Sequence, residues 1–163
     1  MSIYAADTST SVEKTRAEIE ATLRRFKADG FAYATEGRHA MIEFKAAGKR
    51  VRFSLELPDP AEKRFTHRER IIRGYSHGFV PRKPEAVNEV WEQECRSKWR
   101  ALFIAIKGKL VAIDAGISTF EQEFMAHIVL PGGGTVGETV IPLMNEAYST
   151  GTVPSFLRLT GGR

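Results

Sequence analysis

The sequence predicts an α+β fold in which an N-terminal helix and a three-stranded antiparallel β-meander precede a long basic loop, a long helix and two shorter C-terminal helices. Three observations carry that prediction. Apolar residues recur at helical spacing before residue 30, strict alternation takes over between 31 and 57, and helical spacing returns from 84 onward.

The first helix opens at Thr10-Ser-Val-Glu13, which has capping-box spacing: the threonine oxygen and the glutamate carboxylate can satisfy free amides at a helix start. Val12, Ile19, Leu23 and Phe26 form its apolar face and Gly30 supplies the stop. Glu13, Glu18 and Glu20 precede Arg24, Arg25 and Lys27, an order that suits the helix dipole without any functional role.

From Phe31 the period is two. Phe31 and Tyr33 alternate with alanines, Ala40, Ile42 and Phe44 with polar neighbours, and Val51, Phe53, Leu55 and Leu57 likewise. Glu36-Gly37-Arg38 and Ala47-Gly48-Lys49 are too short for parallel crossovers, so the three strands form an antiparallel meander. The first helix is expected to cover its apolar face.

Pro58-Asp-Pro60 ends the third strand, and residues 59–83 read as a long basic loop. Pro84 suits the first position of a helix whose apolar positions Val87, Trp91, Cys95, Trp99, Leu102, Ile106, Leu110 and Ile113 follow by threes and fours. Such a helix reaches ~45 Å at 1.5 Å per residue, long enough to project into a partner or to break near Gly108. Ser118-Thr-Phe-Glu121 has capping-box spacing for the next helix, and Thr135-Val-Gly-Glu138 for the last, which ends before Gly151 and is kinked or delayed by Pro142.

The 163 residues fit one domain, with loose tails at 1–9 and 159–163, and 42% hydrophobic against 27% charged residues is an ordinary globular balance. The N-terminus lacks the basic and long apolar regions of a signal peptide, and no stretch reaches the ~18 apolar residues of a membrane span, so the expected location is the cytoplasm with no membrane partner. Cys95 is the single cysteine, which rules out an intramolecular disulfide framework and fits a core thiol on the apolar stripe of the long helix.

The formal net charge is +4, and it is unevenly placed. Residues 61–83 hold seven basic and two acidic residues, leaving 17 of the 24 basic and 18 of the 20 acidic residues for everything else. In that loop Lys63, Arg64, Arg68, Arg70, Arg73, Arg82 and Lys83 alternate with Phe65, His67, Tyr75, His77 and Phe79. Distributed cations suit phosphates and exposed rings suit unpaired bases, so the composition points to single-stranded nucleic acid, with DNA the expected partner and Tyr75 a stacking candidate. The bland reading is a solvated loop pinned by its aromatics; an acidic protein partner is a further option. Arg50 and Arg52, with Lys45, extend the candidate surface on the polar sheet face, and Arg96, Arg100 and Lys107 share a helical face that can do the same.

No enzymatic signature stands out. Glu43-Phe-Lys45 has the Glu-x-Lys pattern of metal-dependent nucleases, but the nearest upstream carboxylate, Asp29, is expected at a helix end, and a cross-strand surface pair explains the same residues. His39, His67, His77 and His127 lack metal-ligand spacing, and Pro131-Gly-Gly-Gly-Thr135 lacks the Gly-Lys-Ser/Thr ending of a phosphate-binding loop and reads as a flexible connector. No metal or cofactor is assigned. Trp91 and Trp99 share the core stripe of the long helix, any protruding part of which offers a self-association seam.

Trp-Arg-Ala-Leu at 99–102, Ile-Lys-Gly-Lys-Leu at 106–110, Gly-Ile-Ser-Thr-Phe-Glu at 116–121 and Ile-Val-Leu-Pro at 128–131 resemble a family of small uncharacterised proteins of tailed bacteriophages and prophages. Ser-Val-Glu-Lys at 11–14, Val-Arg-Phe at 51–53 and Leu-Pro-Asp-Pro at 57–60 extend the likeness. The resemblance implies a phage product acting in the host cytoplasm and transfers no catalytic residue. The expected function is therefore a non-enzymatic DNA-binding protein, accessory to replication or recombination. The alternatives are a module that binds a host or phage protein and, third, a metal-dependent nuclease centred on Glu43 and Lys45.

Overall fold

Helix α1 (Val12–Arg25) buries Thr15, Ile19 and Leu23 at intervals of four, and its amino end is capped by Ser11, whose Oγ accepts from the Lys14 amide at 3.2 Å. The cap thus falls one residue beyond the expected Thr10. The helix also ends before Gly30: Lys27 takes the left-handed conformation at φ 59° and the Ala28 amide returns to the Leu23 carbonyl. The computed structural model describes Ala5 and residues 7–152; the expected tail at 159–163, and most of that at 1–9, lie outside the described residues.

Strands β1 (Asp29–Glu36), β2 (His39–Ala46) and β3 (Lys49–Glu56) form one antiparallel sheet in sequence order, as the short connections require. Phe31, Tyr33, Ala40, Ile42, Phe44, Val51 and Phe53 share one face, set by pairings such as Tyr33 with Ile42 and Ile42 with Phe53. Two helices cover that face, where one was expected. Alongside α1 lies α3 (Pro84–Asp114), which contributes Cys95, Trp99, Phe103, Ile106 and Leu110 and runs unbroken through Gly108. Trp99 meets Tyr33 with ring centroids 5.6 Å apart, the Arg16 guanidinium lies over the Tyr33 ring at 3.2 Å from its centroid, and Arg100 of α3 pairs with Glu18 of α1.

Beyond α3, the capping box that opens α4 (Phe120–Phe124) is built by Thr119 and Gln122, again one residue past the expected Ser118. Phe124 is fully buried and meets Phe44 and Phe53 edge-on. A 3-10 turn (Met125–His127) follows, and Val129 donates to the Arg50 carbonyl at 2.8 Å, adding a short bridge along the free edge of β3. Helix α5 (Val136–Thr150) has the expected Thr135–Glu138 capping box and ends at Gly151 in the left-handed conformation. Pro142 lies inside it, so the helix starts on time rather than late.

The segment expected to be a loop is folded. Its first turn is α2 (Lys63–Thr66), which buries Phe65. Strands β4 (His67–Ile72) and β5 (Tyr75–Pro81) then pair into a second, two-stranded sheet. Among the described residues no helix is long and apolar enough to cross a membrane.

Candidate nucleic-acid interface

The hairpin turns at Arg73-Gly74, where both residues take positive φ, 51° and 82°. That combination marks the two-residue turn whose twist matches a β-ribbon. Glycine adopts it freely; arginine does so at a cost of roughly 1–2 kcal/mol. A second irregularity lies at His77-Gly78, where β5 carries one more residue than β4 between the Glu69–Phe79 and Ile71–Ser76 pairs, and Gly78 has φ 83°.

At its root the ribbon is fastened to the body. The Arg82 amide donates to the Thr66 carbonyl at 2.7 Å, its Nε donates to the His67 carbonyl at 3.2 Å, and the Lys63 ammonium sits 5.6 Å from the Phe79 ring centroid. Beyond α2 and its own two strands the ribbon makes little contact, and the core cluster includes no residue between 67 and 81. It is an arm. Its apolar side chains stay in solvent: Ile71 is 63% exposed, Ile72 40%, Tyr75 75% and Phe79 64%.

Register decides which side chains share a face. Arg68 opposes Val80 and Ile72 opposes Tyr75, so Arg68, Arg70, Ile72, Tyr75 and Val80 lie on one side. His67, Glu69, Ile71, Ser76 and Phe79 lie on the other. The side chains of Arg68, Arg70 and Arg73 are exposed and make no ion pair or hydrogen bond among the described residues.

The other candidates are placed differently. Arg64 is held by Glu62 at 2.7 Å and by Glu94 at 3.5 Å, and the Arg64 guanidinium in turn draws the Glu62 carboxyl below its ordinary range. Lys83 is exposed at the amino end of α3. Arg50 pairs with Glu43 at 3.5 Å, while Arg52, with only 23% of its side chain exposed, binds Glu43 at 3.0 Å and donates to the Gly133 carbonyl at 2.8 Å. Arg52 therefore ties the Pro131–Gly134 turn to the sheet, and that turn is closed further by the Leu130 amide on the Gly134 carbonyl. The expected flexible connector is a pinned turn. At its end Glu138 occupies the amino terminus of α5 through the capping box, placing a carboxylate where an anion would have to sit.

Arg96 bonds to Gln93 and pairs with Glu92, Arg100 faces α1, and Lys107 lies over Phe103, so these three do not extend the arm. Glu43 and Lys45 share the polar sheet face as the alternation requires, and Asp29 stands opposite Lys45 on β1 rather than at a helix end. The Glu43 carboxylate is engaged by two guanidinium groups, which is the geometry of a cross-strand ion pair; among the described residues no three metal-ligating side chains come together. Cys95 lies in the core, and burial, reinforced by Glu94 and Glu92, pushes its thiol up to about 11. It is a packed thiol, not a thiolate nucleophile.

Comparison with protein-family models, with curated proteins and with solved structures finds no match for the chain. Ile71 and Ile72 are not among the sequence-derived binding residues. The signal for them is Ile-Ile-Arg-Gly-Tyr, two β-branched residues and an aromatic around a glycine turn, which marks a hairpin even where the flanking charges suggest a loop.

Proposed function

We propose that this protein is a non-enzymatic DNA-binding protein that grips phosphates through the β4–β5 arm. One observation carries the reading: three arginines clustered on one projecting ribbon have no side-chain partners among the described residues, whereas Arg64, Arg50 and Arg100 are paired with carboxylates. Unpaired guanidinium groups held on a projecting ribbon suit a polyanion, since each neutralised phosphate releases bound counterions. Arg68, Arg70 and Arg73 are the principal contacts, Lys63, Tyr75, Arg82 and Lys83 flank them, and Arg50 and Arg52 belong to the sheet. The resemblance to small phage proteins supports a role for this activity in replication or recombination in a bacterial cytoplasm.

The test is binding to labelled DNA across a salt series. Affinity falls with salt, and Arg68→Ala/Arg70→Ala/Arg73→Ala weakens binding at least about tenfold while reducing the salt slope by roughly one unit per arginine. Unchanged binding in the triple variant removes the arm from the account.

A second reading is favoured by α5. Ile141, Met144 and Tyr148 are exposed at helical spacing, a surplus apolar face that suits a protein partner. On that reading Ile141→Ser/Met144→Ser abolishes a complex that the arginine variant leaves intact.

A further inference from the structure

We infer that the arm acts on duplex DNA by wedging Ile72 and Tyr75 between base steps, so that binding bends the duplex. This inference rests on the DNA-binding reading and goes further, naming the form of the nucleic acid and what happens to it.

The arrangement at the tip carries the argument. Ile72 and Tyr75 face each other across the ribbon immediately before and after the Arg73-Gly74 turn, at the end furthest from α2. They form an apolar pair exposed to solvent, 40% and 75%, on the same face as Arg68 and Arg70. An apolar pair at the point of a cationic stem has no neighbour among the core residues to cover it. Charge excludes an apolar protein pocket as the natural occupant, because Arg70 and Arg73 flank the pair and would be buried with it unpaired, at a high desolvation cost. A base step removes that conflict. The apolar groups enter the stack while the flanking arginines stay at the rim, where the phosphates are.

The ribbon also suits a duplex better than an unpaired strand. Six residues of β4 extend the arm by roughly 20 Å, enough to follow a groove across the duplex. An unpaired strand is bound by rings stacked in series, but Tyr75 and Phe79 lie on opposite faces of the arm and Phe79 is partly covered by Lys63. The two rings cannot form one stacking platform. Wedging side chains of this kind kink a duplex by ~20–90°.

The experiment uses the full chain and a 30-base-pair duplex carrying donor and acceptor dyes at its ends, with 2-aminopurine at a central step of a second duplex. All readings are taken at saturating protein, so that differences in affinity do not enter. The wild type raises transfer efficiency and 2-aminopurine fluorescence, and Ile72→Ser/Tyr75→Ser abolishes both. Saturated binding with unchanged transfer and unchanged 2-aminopurine signal overturns the wedge and leaves the DNA-binding reading standing, and so does equal bending by the variant. Binding confined to single strands overturns the duplex inference alone. Absence of binding to any DNA, or capture by anionic vesicles in its place, overturns both. Should the variant fail to fold, the wild-type transfer and 2-aminopurine readings still decide.

Discussion

Arg73 occupies a turn position at φ 51° that glycine or asparagine would fill at lower cost, and the hairpin keeps a guanidinium there. Two other residues yield predictions about stability. A Cβ added at Gly137 would stand 2.7 Å from the Ala126 carbonyl oxygen, a backbone atom that cannot swing away. Gly137→Ala is therefore expected to destabilise the protein by about 1–3 kcal/mol, read as a lower urea midpoint at unchanged slope. His127 stacks on Phe53 with centroids 3.9 Å apart, and burial followed by the Lys109 charge lowers its pKa below the ordinary 6.5. The unfolded chain then binds the proton more readily than the folded one. The associated stability is fully present above 6.5 and is lost as pH falls from there through the lowered folded value. His127→Phe keeps the stacked ring and removes this component, so urea unfolding at pH 7.5 and 5 should show a smaller loss in the variant than in the wild type.

At the scale of elements, α3 continues through Gly108, whose added Cβ would meet nothing within 4 Å. Gly108→Ala is expected to stabilise the protein by about 0.5–1 kcal/mol, seen as a raised thermal midpoint, because alanine loses less backbone entropy in a helix. The α+β class, the meander and its apolar face, the long helix and the α5 capping box were legible because each pattern follows from burial on one face or from a cap that satisfies backbone amides. Caps at Ser11 and Thr119 were displaced by one residue because Thr10 and Ser118 offer equivalent hydroxyls, and local spacing does not choose between them. The covering of one sheet face by both α1 and α3 depends on tertiary packing that no single helix announces. The arm was least legible. Its strands face solvent on both sides, so burial imposes no alternation, and its charged residues resemble those of a loop.

For the molecule as a whole, the core and the candidate interface are separate. Ile19, Ile42, Phe44, Trp99 and Phe124 hold one continuous cluster to which the arm contributes nothing. Replacing residues 67–81 by a short glycine-serine linker is expected to leave the thermal midpoint within a few degrees of the wild type and to remove DNA binding. The division also explains which site residues the sequence could not sort. Basic side chains look alike in a sequence, and only the fold separates Arg52, committed to Glu43 and Gly133, from Arg68, Arg70 and Arg73, which are left free of ion pairs among the described residues. The most direct test is fluorescence-polarisation titration of labelled duplex and single-stranded DNA across a salt series, comparing the wild type with Arg68→Ala/Arg70→Ala/Arg73→Ala. The account predicts micromolar or tighter binding that weakens with salt and is lost in large part in the variant. No binding at low salt, or equal binding by both proteins, would contradict it.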